Sequence, residues 1–231
     1  LTHLSGTSND GPVPFGLSVA DIMCGNHLTQ GILAALIKRA KTDQGILVEV
    51  SLLESSLDMQ FEVLTTHLND GGKLPERSAV KGSGHAYLSA PYGIYKTADA
   101  YLALAMGNLE TISLVISCDI SGVYTDAGSS FEKRDEIMWL LSETIKLKST
   151  NEWLTILESA GIWCASVLNY SEALEYPAFK EMQIRQSLNL ENRTIETTRS
   201  PIQIDGNKLT STKAAPKIGS SVDKINKEFN L

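Results

Sequence analysis

No stretch of the 231 residues approaches the roughly 20 consecutive apolar side chains that a membrane-spanning helix needs. The opening Leu1-Thr2-His3-Leu4-Ser5 also lacks the basic segment and apolar run of a secretion signal. The chain is therefore expected in the cytoplasm, away from membranes. Cysteine is scarce: Cys24, Cys118 and Cys164 are odd in number and far apart. They match neither a disulfide framework nor a CxxC metal pair, which suits a reducing compartment and predicts no metal site. Positive charge is in deficit, with 20 Lys+Arg against 27 Asp+Glu and a net charge of −7. A protein that neutralises phosphate backbones shows the opposite imbalance, so nucleic acid is not an expected partner. The sequons Asn169-Tyr170-Ser171 and Asn192-Arg193-Thr194 carry little weight outside the secretory route. An initiator Met is lacking too, so the chain is expected to be processed or to start inside a longer protein.

What is present describes a globular protein. Hydrophobic residues make up 42%, charged residues 20%, and the mean hydropathy is −0.05, which excludes disorder and collagen. The length suits one large or two small domains. After a Gly-, Pro- and Ser-rich lead-in at residues 6–16, Leu28, Ile32 and Leu36 recur at helical spacing and predict a helix over residues 22–39. Ser18-Val19-Ala20-Asp21 has the form of a capping box at its start. The β-rich run Ile46-Leu47-Val48-Glu49-Val50 predicts a strand, and a second box, Ser51-Leu52-Leu53-Glu54, opens a helix whose apolar face runs from Leu53 to Leu68. Residues 72–89 are aperiodic and read as a surface loop, the kind of segment that often carries function. A hairpin should follow, with strands at residues 92–95 and 101–105. Helices are expected at 109–117, 131–146 and 151–160, the last opened by the box Ser149-Thr150-Asn151-Glu152 and stopped by Gly161. A strand-like Ile202-Gln203-Ile204 and a Lys-bearing tail close the chain. The fold class read from this order is α/β.

Several constellations invite a chemical reading. Gly16-Leu17-Ser18-Val19-Ala20 is close to a hydrolase nucleophile elbow, but that elbow follows an apolar strand and here Pro12 and Pro14 precede it. Cys24 and His27 stand at i, i+3 on one predicted helix as a thiol and a base, though a catalytic pair usually comes from distant segments; a buried thiol beside a partly exposed His is the simpler reading. Gly82-Ser83-Gly84-His85 lacks the third glycine of a dinucleotide fingerprint and opens no helix. Asp21, at a helix start, serves the helix dipole. The same position favours its carboxylate form and aims backbone N–H groups at any charge gathering there, as a carboxylate nucleophile requires.

The run Gly16-Leu17-Ser18-Val19-Ala20-Asp21-Ile22-Met23-Cys24-Gly25, continuing through Gly31-Ile32-Leu33-Ala34-Ala35-Leu36 to Val48-Glu49-Val50-Ser51-Leu52-Leu53-Glu54, resembles the core signature of family III CoA-transferases (the CaiB/BaiF family). That group includes formyl-CoA:oxalate and carnitine CoA-transferases. Ala90-Pro91-Tyr92-Gly93-Ile94-Tyr95-Lys96-Thr97-Ala98-Asp99, Ala160-Gly161-Ile162-Trp163-Cys164, Ser200-Pro201-Ile202 and Ala215-Pro216-Lys217-Ile218-Gly219 extend the likeness. Cys164-Ala165-Ser166-Val167 departs from the family's Cys-Gly-Pro-Val, and Gly219-Ser220-Ser221 from its Gly-Glu-His.

The resemblance implies that Asp21 is the nucleophile and that the family's glycine-rich loop maps onto Gly82, Gly84 and His85, where it would contact substrate or CoA and close over the site. It implies the C-terminal part of a longer family chain: residues 1–75 from a Rossmann-like large domain, 76–190 a smaller α+β domain, and 191–231 a return to the large domain. It further implies substrates that are acyl-CoA and a carboxylic acid, no cofactor beyond coenzyme A thioesters, and an interlocked homodimer. Two alternatives stand beside it. One is an isomerase like the α-methylacyl-CoA racemases, whose His would lie upstream of Leu1; the other is a non-catalytic truncated chain.

Overall fold

The computed structural model describes residues 1–190 and 193–231, so the sequon at Asn192 lies outside the described residues. The chain packs as two units, Leu1–Val167 and Leu168–Leu231. The division at Val167 lies elsewhere than the boundaries of the segments 1–75, 76–190 and 191–231 that the resemblance implies, and hydrogen bonds cross the first of those boundaries. Ser8 N–H donates to the Ser78 carbonyl at 2.9 Å, and the Arg77 guanidinium donates to the carbonyls of Ser5 and Asp10.

In the first unit, α1 (Val19–Thr42) is the helix that the Leu28–Leu36 spacing predicts, begun three residues earlier. It stops at Asp43, whose φ of 53° is left-handed and whose N–H bonds Arg39 O at 2.7 Å. The capping box expected at its start does not form: Ser18 is the N-cap, but its hydroxyl accepts nothing from the first turn. Nor is the strand expected at residues 46–50 present. A strand needs a neighbour to take up its N–H and C=O groups, and no described strand lies beside this segment. The single helix expected after Ser51 is two, α2 (Leu52–Asp58) and α3 (Phe61–Asn69). At the break, Gln60 N–H bonds Leu57 O at 3.0 Å while its side-chain amide donates to Ser56 O at 2.7 Å. Ser51 does cap α2, accepting Glu54 N–H at 3.1 Å.

The expected hairpin is present as β1 (Gly93–Lys96) and β2 (Tyr101–Leu104), with Gly93 opposite Leu104 and Lys96 opposite Tyr101. After it come α4 (Leu109–Ile116), α5 (Ser129–Glu132), α6 (Arg134–Ile145) and α7 (Thr150–Ser159). The helix predicted over 131–146 is α5 and α6, broken at Lys133. The box on α7 forms in full: Ser149 Oγ accepts Glu152 N–H, and the Glu152 carboxylate accepts Ser149 N–H at 2.9 Å. Gly161, at φ 72°, ends the turn that follows. A strand not anticipated from sequence, β3 (Cys164–Ser166), pairs antiparallel to β2 and completes a sheet of order β1-β2-β3.

Against that sheet lies the core. Tyr95, Leu102 and Leu104 meet Ile112 and Ile116 of α4, Ile137, Met138, Leu141 and Ile145 of α6, and Trp153 and Leu157 of α7, all but fully buried. Each such side chain contributes roughly 1.5–3 kcal/mol. Trp153 Nε1–H donates to Ile145 O at 2.6 Å, and Tyr95 O–H to Pro91 O at 2.7 Å, so the buried polar tips are satisfied.

The second unit holds α8 (Tyr170–Glu175), α9 (Pro177–Met182), a hairpin of β4 (Arg185–Leu190) and β5 (Arg193–Thr198), a second hairpin of β6 (Gln203–Ile204) and β7 (Asn207–Lys208), and α10 (Val222–Phe229). The expected strand at 202–204 is β6, turned by Asp205 and Gly206 at φ 49° and 77°. Buried Arg199 braces this unit, donating to Gln183 O at 2.9 Å and Met182 O at 2.7 Å where α9 ends. Across both units the mixed helix-and-strand class holds, and every described strand pair is antiparallel.

Candidate functional site

Asp21 occupies the third position of α1 and is exposed. Its carboxylate makes no hydrogen bond or ion pair with any described residue. Because Ser18 accepts nothing, the first turn's N–H groups have no side-chain acceptor either. A free carboxylate thus sits beside donors able to receive negative charge, at the positive end of a 24-residue dipole.

No hydrogen bond joins Asp21 to the loop residues Gly82, Gly84 and His85. The loop, which the resemblance implies closes over the site, is hydrogen-bonded to β1 and to the residue before it. Ile94 N–H donates to Gly82 O at 2.8 Å, Gly84 N–H to Tyr92 O at 3.3 Å, and Ser83 bridges to Gly93. Both glycines are required by packing: a Cβ on Gly82, at φ 102°, would lie 2.3 Å from Ile94 O, and one on Gly84 would lie 2.5 Å from Tyr92 Cε1. His85 is half-buried and its Nδ1 accepts Tyr87 N–H at 3.1 Å. The Tyr87 hydroxyl is itself enclosed without a partner among the described residues, and desolvation raises its pKa, with the Asp70 charge adding to the effect.

His27 is not joined to Cys24, which is half-buried rather than buried. Its ring bridges α1 to α2 instead, with Nδ1 2.9 Å from Ser55 Oγ and Nε2 3.1 Å from Asp58 Oδ2. Sequence reasoning missed this cluster, since 28 and 31 positions separate its members and each looks ordinary alone.

A cavity of about 990 Å³ does not include Asp21; it is lined by His67, Arg77, Phe131 and Arg134 among others. Its guanidinium groups are already engaged. Arg77 donates to the carbonyls of Ser5, Asp10 and Gly11, and Arg134 to those of Glu76 and Ala86. Volume alone therefore does not make it the reaction site. Among the described residues, no three His, Cys, Asp or Glu side chains gather as metal ligands, and no helix is long and apolar enough to cross a membrane.

Comparison with known proteins bears on the same segment. The family model for CoA-transferase family III matches residues 1–222. Human succinyl-CoA:glutarate CoA-transferase is 24% identical, the match covering 99% of this chain and 52% of that protein. The succinate–glutarate CoA-transferase of Agrobacterium fabrum is 27% identical over 94% of this chain and 54% of its own length. Among solved structures, a CAIB/BAIF family protein from Brucella suis superposes with a TM-score of 0.75 at 23% identity, covering 98% of this chain and 59% of that one. Rv3272 of Mycobacterium tuberculosis does so at 0.73 and 19%, covering 91% and 56%. At these identities the structures share a fold. The chain spans about half the length of the curated relatives it matches.

Proposed function

The chain belongs to CoA-transferase family III, and on that premise we propose that it forms part of an enzyme moving CoA from an acyl-CoA thioester to a free carboxylic acid, with Asp21 as nucleophile. An Asp21 oxygen attacks the thioester carbonyl and the C–S bond breaks, leaving an aspartyl–acyl mixed anhydride and CoA thiolate. The thiolate attacks the aspartyl carbonyl, releases the donor acid and leaves an aspartyl-CoA thioester. The acceptor carboxylate attacks this carbonyl and expels the thiolate, which then takes the acceptor acyl group and frees Asp21. Every step exchanges one activated acyl group for another, so the sequence calls for no metal or redox cofactor.

One observation carries this reading: Asp21 lies within the matched segment as an exposed carboxylate, unpaired among the described residues, beside an uncapped helix start. The acceptor in this proposal is a small dicarboxylate. Relatives named for glutarate, from Homo sapiens and Agrobacterium fabrum, for oxalate, from Acetobacter aceti, and for mesaconate, from Haloarcula hispanica, support that choice. A soluble, cytoplasmic, interlocked homodimer with the glycine loop near the acyl group completes the proposal.

The complete protein, given succinyl-CoA without acceptor, is expected to accumulate an adduct at Asp21 that hydroxylamine or borohydride traps, read by mass spectrometry of the peptide. Asp21→Asn is expected to lose turnover and keep its fold, since Asn suits a helix start about as well as Asp. An unmodified peptide from enzyme that is transferring CoA sinks the covalent route, and solvent deuterium entering the α-carbon without an adduct identifies a racemase.

A further inference from the structure

We propose that His27 is a positioning residue for Asp21: through Ser55 and Asp58 it fixes where α1 lies on α2, and so where the attacking carboxylate stands. The proposal rests on Asp21 being the nucleophile.

The case begins with how little else holds α1. Its 24 residues include no buried side chain, so the usual device for fixing a helix's rotation, an apolar stripe pressed into a core, is lacking among the described residues. Beyond the half-buried side chains of Met23, Cys24 and Ala35, two specific attachments stand out. At Gly31 the backbone approaches Val48 so closely that a Cβ would lie 2.6 Å from its Cγ1. Four residues earlier is His27, whose side chain is the one side chain of α1 that bonds outside its own helix among the described residues. Gly31 sets how near the helix lies, and His27 sets its rotation and its sliding along its own axis.

The chemistry of the bridge gives it direction. An ionised carboxylate only accepts, so Nε2 carries a hydrogen toward Asp58; in the neutral ring Nδ1 then accepts the Ser55 hydroxyl. Both ring nitrogens are committed, and the plane of the imidazole is held from two sides. Ser55 is 2% exposed, which shields its half of the bridge from water, whereas the Asp58 half is open to solvent.

His27 acts at a distance. Six positions on from Asp21, it lies about 9 Å along the axis and is turned roughly 120° away, so the imidazole is not itself a reacting group. A stiff helix carries its placement to the first turn. A carboxylate displaced by 1 Å from its line of attack loses on the order of a hundredfold in rate.

The experiment uses the complete protein and four variants, His27→Leu, His27→Gln, Ser55→Ala and Asp58→Asn. It measures kcat, KM for the acyl-CoA, the rate at which the Asp21 adduct forms, and thermal unfolding. His27→Leu is expected to slow adduct formation and kcat together by about tenfold or more, with KM changed less than about twofold. His27→Gln keeps a donor for Asp58 and should recover part of the rate. Ser55→Ala added to His27→Leu should cost little more, because both remove the same bridge. A purely structural role lowers the unfolding temperature and leaves the adduct rate of the folded enzyme at the wild-type value, which overturns the proposal. Should His27→Leu fail to fold, Ser55→Ala, which removes the buried half of the bridge, puts the same question, and a wild-type adduct rate in it overturns the proposal. Wild-type enzyme that turns over with no adduct at Asp21 brings down the nucleophile and this role together. An adduct in the wild type with an equal rate in His27→Leu removes the positioning role alone.

Discussion

Asp99 shows how one carboxylate serves several elements. Its Oδ1 accepts Thr150 N–H at 2.8 Å, the Thr97 hydroxyl at 3.0 Å and the Thr150 hydroxyl at 3.1 Å, tying the β1–β2 turn to the start of α7. These bonds, the Thr150 N–H foremost, hold its pKa below the ordinary carboxylate value. Glu152 is lowered in the same way, first by the Ser149 hydroxyl and then by Ser149 N–H. A group whose pKa is depressed by folding stabilises the protein above its unfolded pKa, near 4, and that stability is lost as the pH falls through the folded value. Stability measured by urea unfolding is therefore expected to be flat above about pH 5 and to decline below it. Asp99→Asn should soften the decline and lower the plateau; an unchanged pH profile would show that these bonds do not matter. Of the residues singled out from sequence, Asp21 stands where the spacing places it, in the first turn of α1. The partners of His27 were not legible in the sequence, since their proximity exists only after α2 folds back on α1.

At the level of single elements, two serines with the same sequence signature behave differently. Ser149 caps α7 with both halves of its box in place, whereas Ser18 stands at the N-cap of α1 and accepts nothing. Ser149→Ala is accordingly expected to cost about 1 kcal/mol in chemical denaturation, and Ser18→Ala to be neutral within about 0.3 kcal/mol. A loss at Ser18 equal to that at Ser149 would contradict the assignment. The pattern S/T-x-x-D/E marks where a helix can start, but whether the hydroxyl turns inward depends on the backbone before it. At Ser18 that backbone has φ −76° and ψ 55°, away from the extended conformation seen at Ser149, with φ −67° and ψ 158°. The same logic governs residues 46–50, whose β-rich composition predicts a strand that does not form because no described strand pairs with it.

The whole first unit is unevenly buried. Its core sits among β1–β3, α4, α6 and α7, while α1 and α2 leave Leu33, Ile37 and Leu53 between 56% and 72% exposed. A soluble monomer seldom leaves so many apolar side chains open along neighbouring helices. Arg77 and Arg134, which line the 990 Å³ cavity, are spent on backbone carbonyls. The 231-residue chain by itself is therefore expected to bind CoA weakly. Calorimetry would test this, and micromolar affinity for CoA in the isolated chain would refute it.

The amino-acid sequence alone determined the elements whose signals are local: the course of α1, the hairpin of β1 and β2, and the capped start of α7. Each follows from spacing or capping within a few positions, where propensity and periodicity act directly. Tertiary structure alone decided the rest. β3 exists because β2 offers it an edge, and Gly82 and Gly84 are needed because β1 runs against them. His27 became a bridge rather than a base because Ser55 and Asp58 arrive beside it from 28 and 31 residues away. Contacts between distant segments leave no periodicity in the chain, so no local pattern announces them.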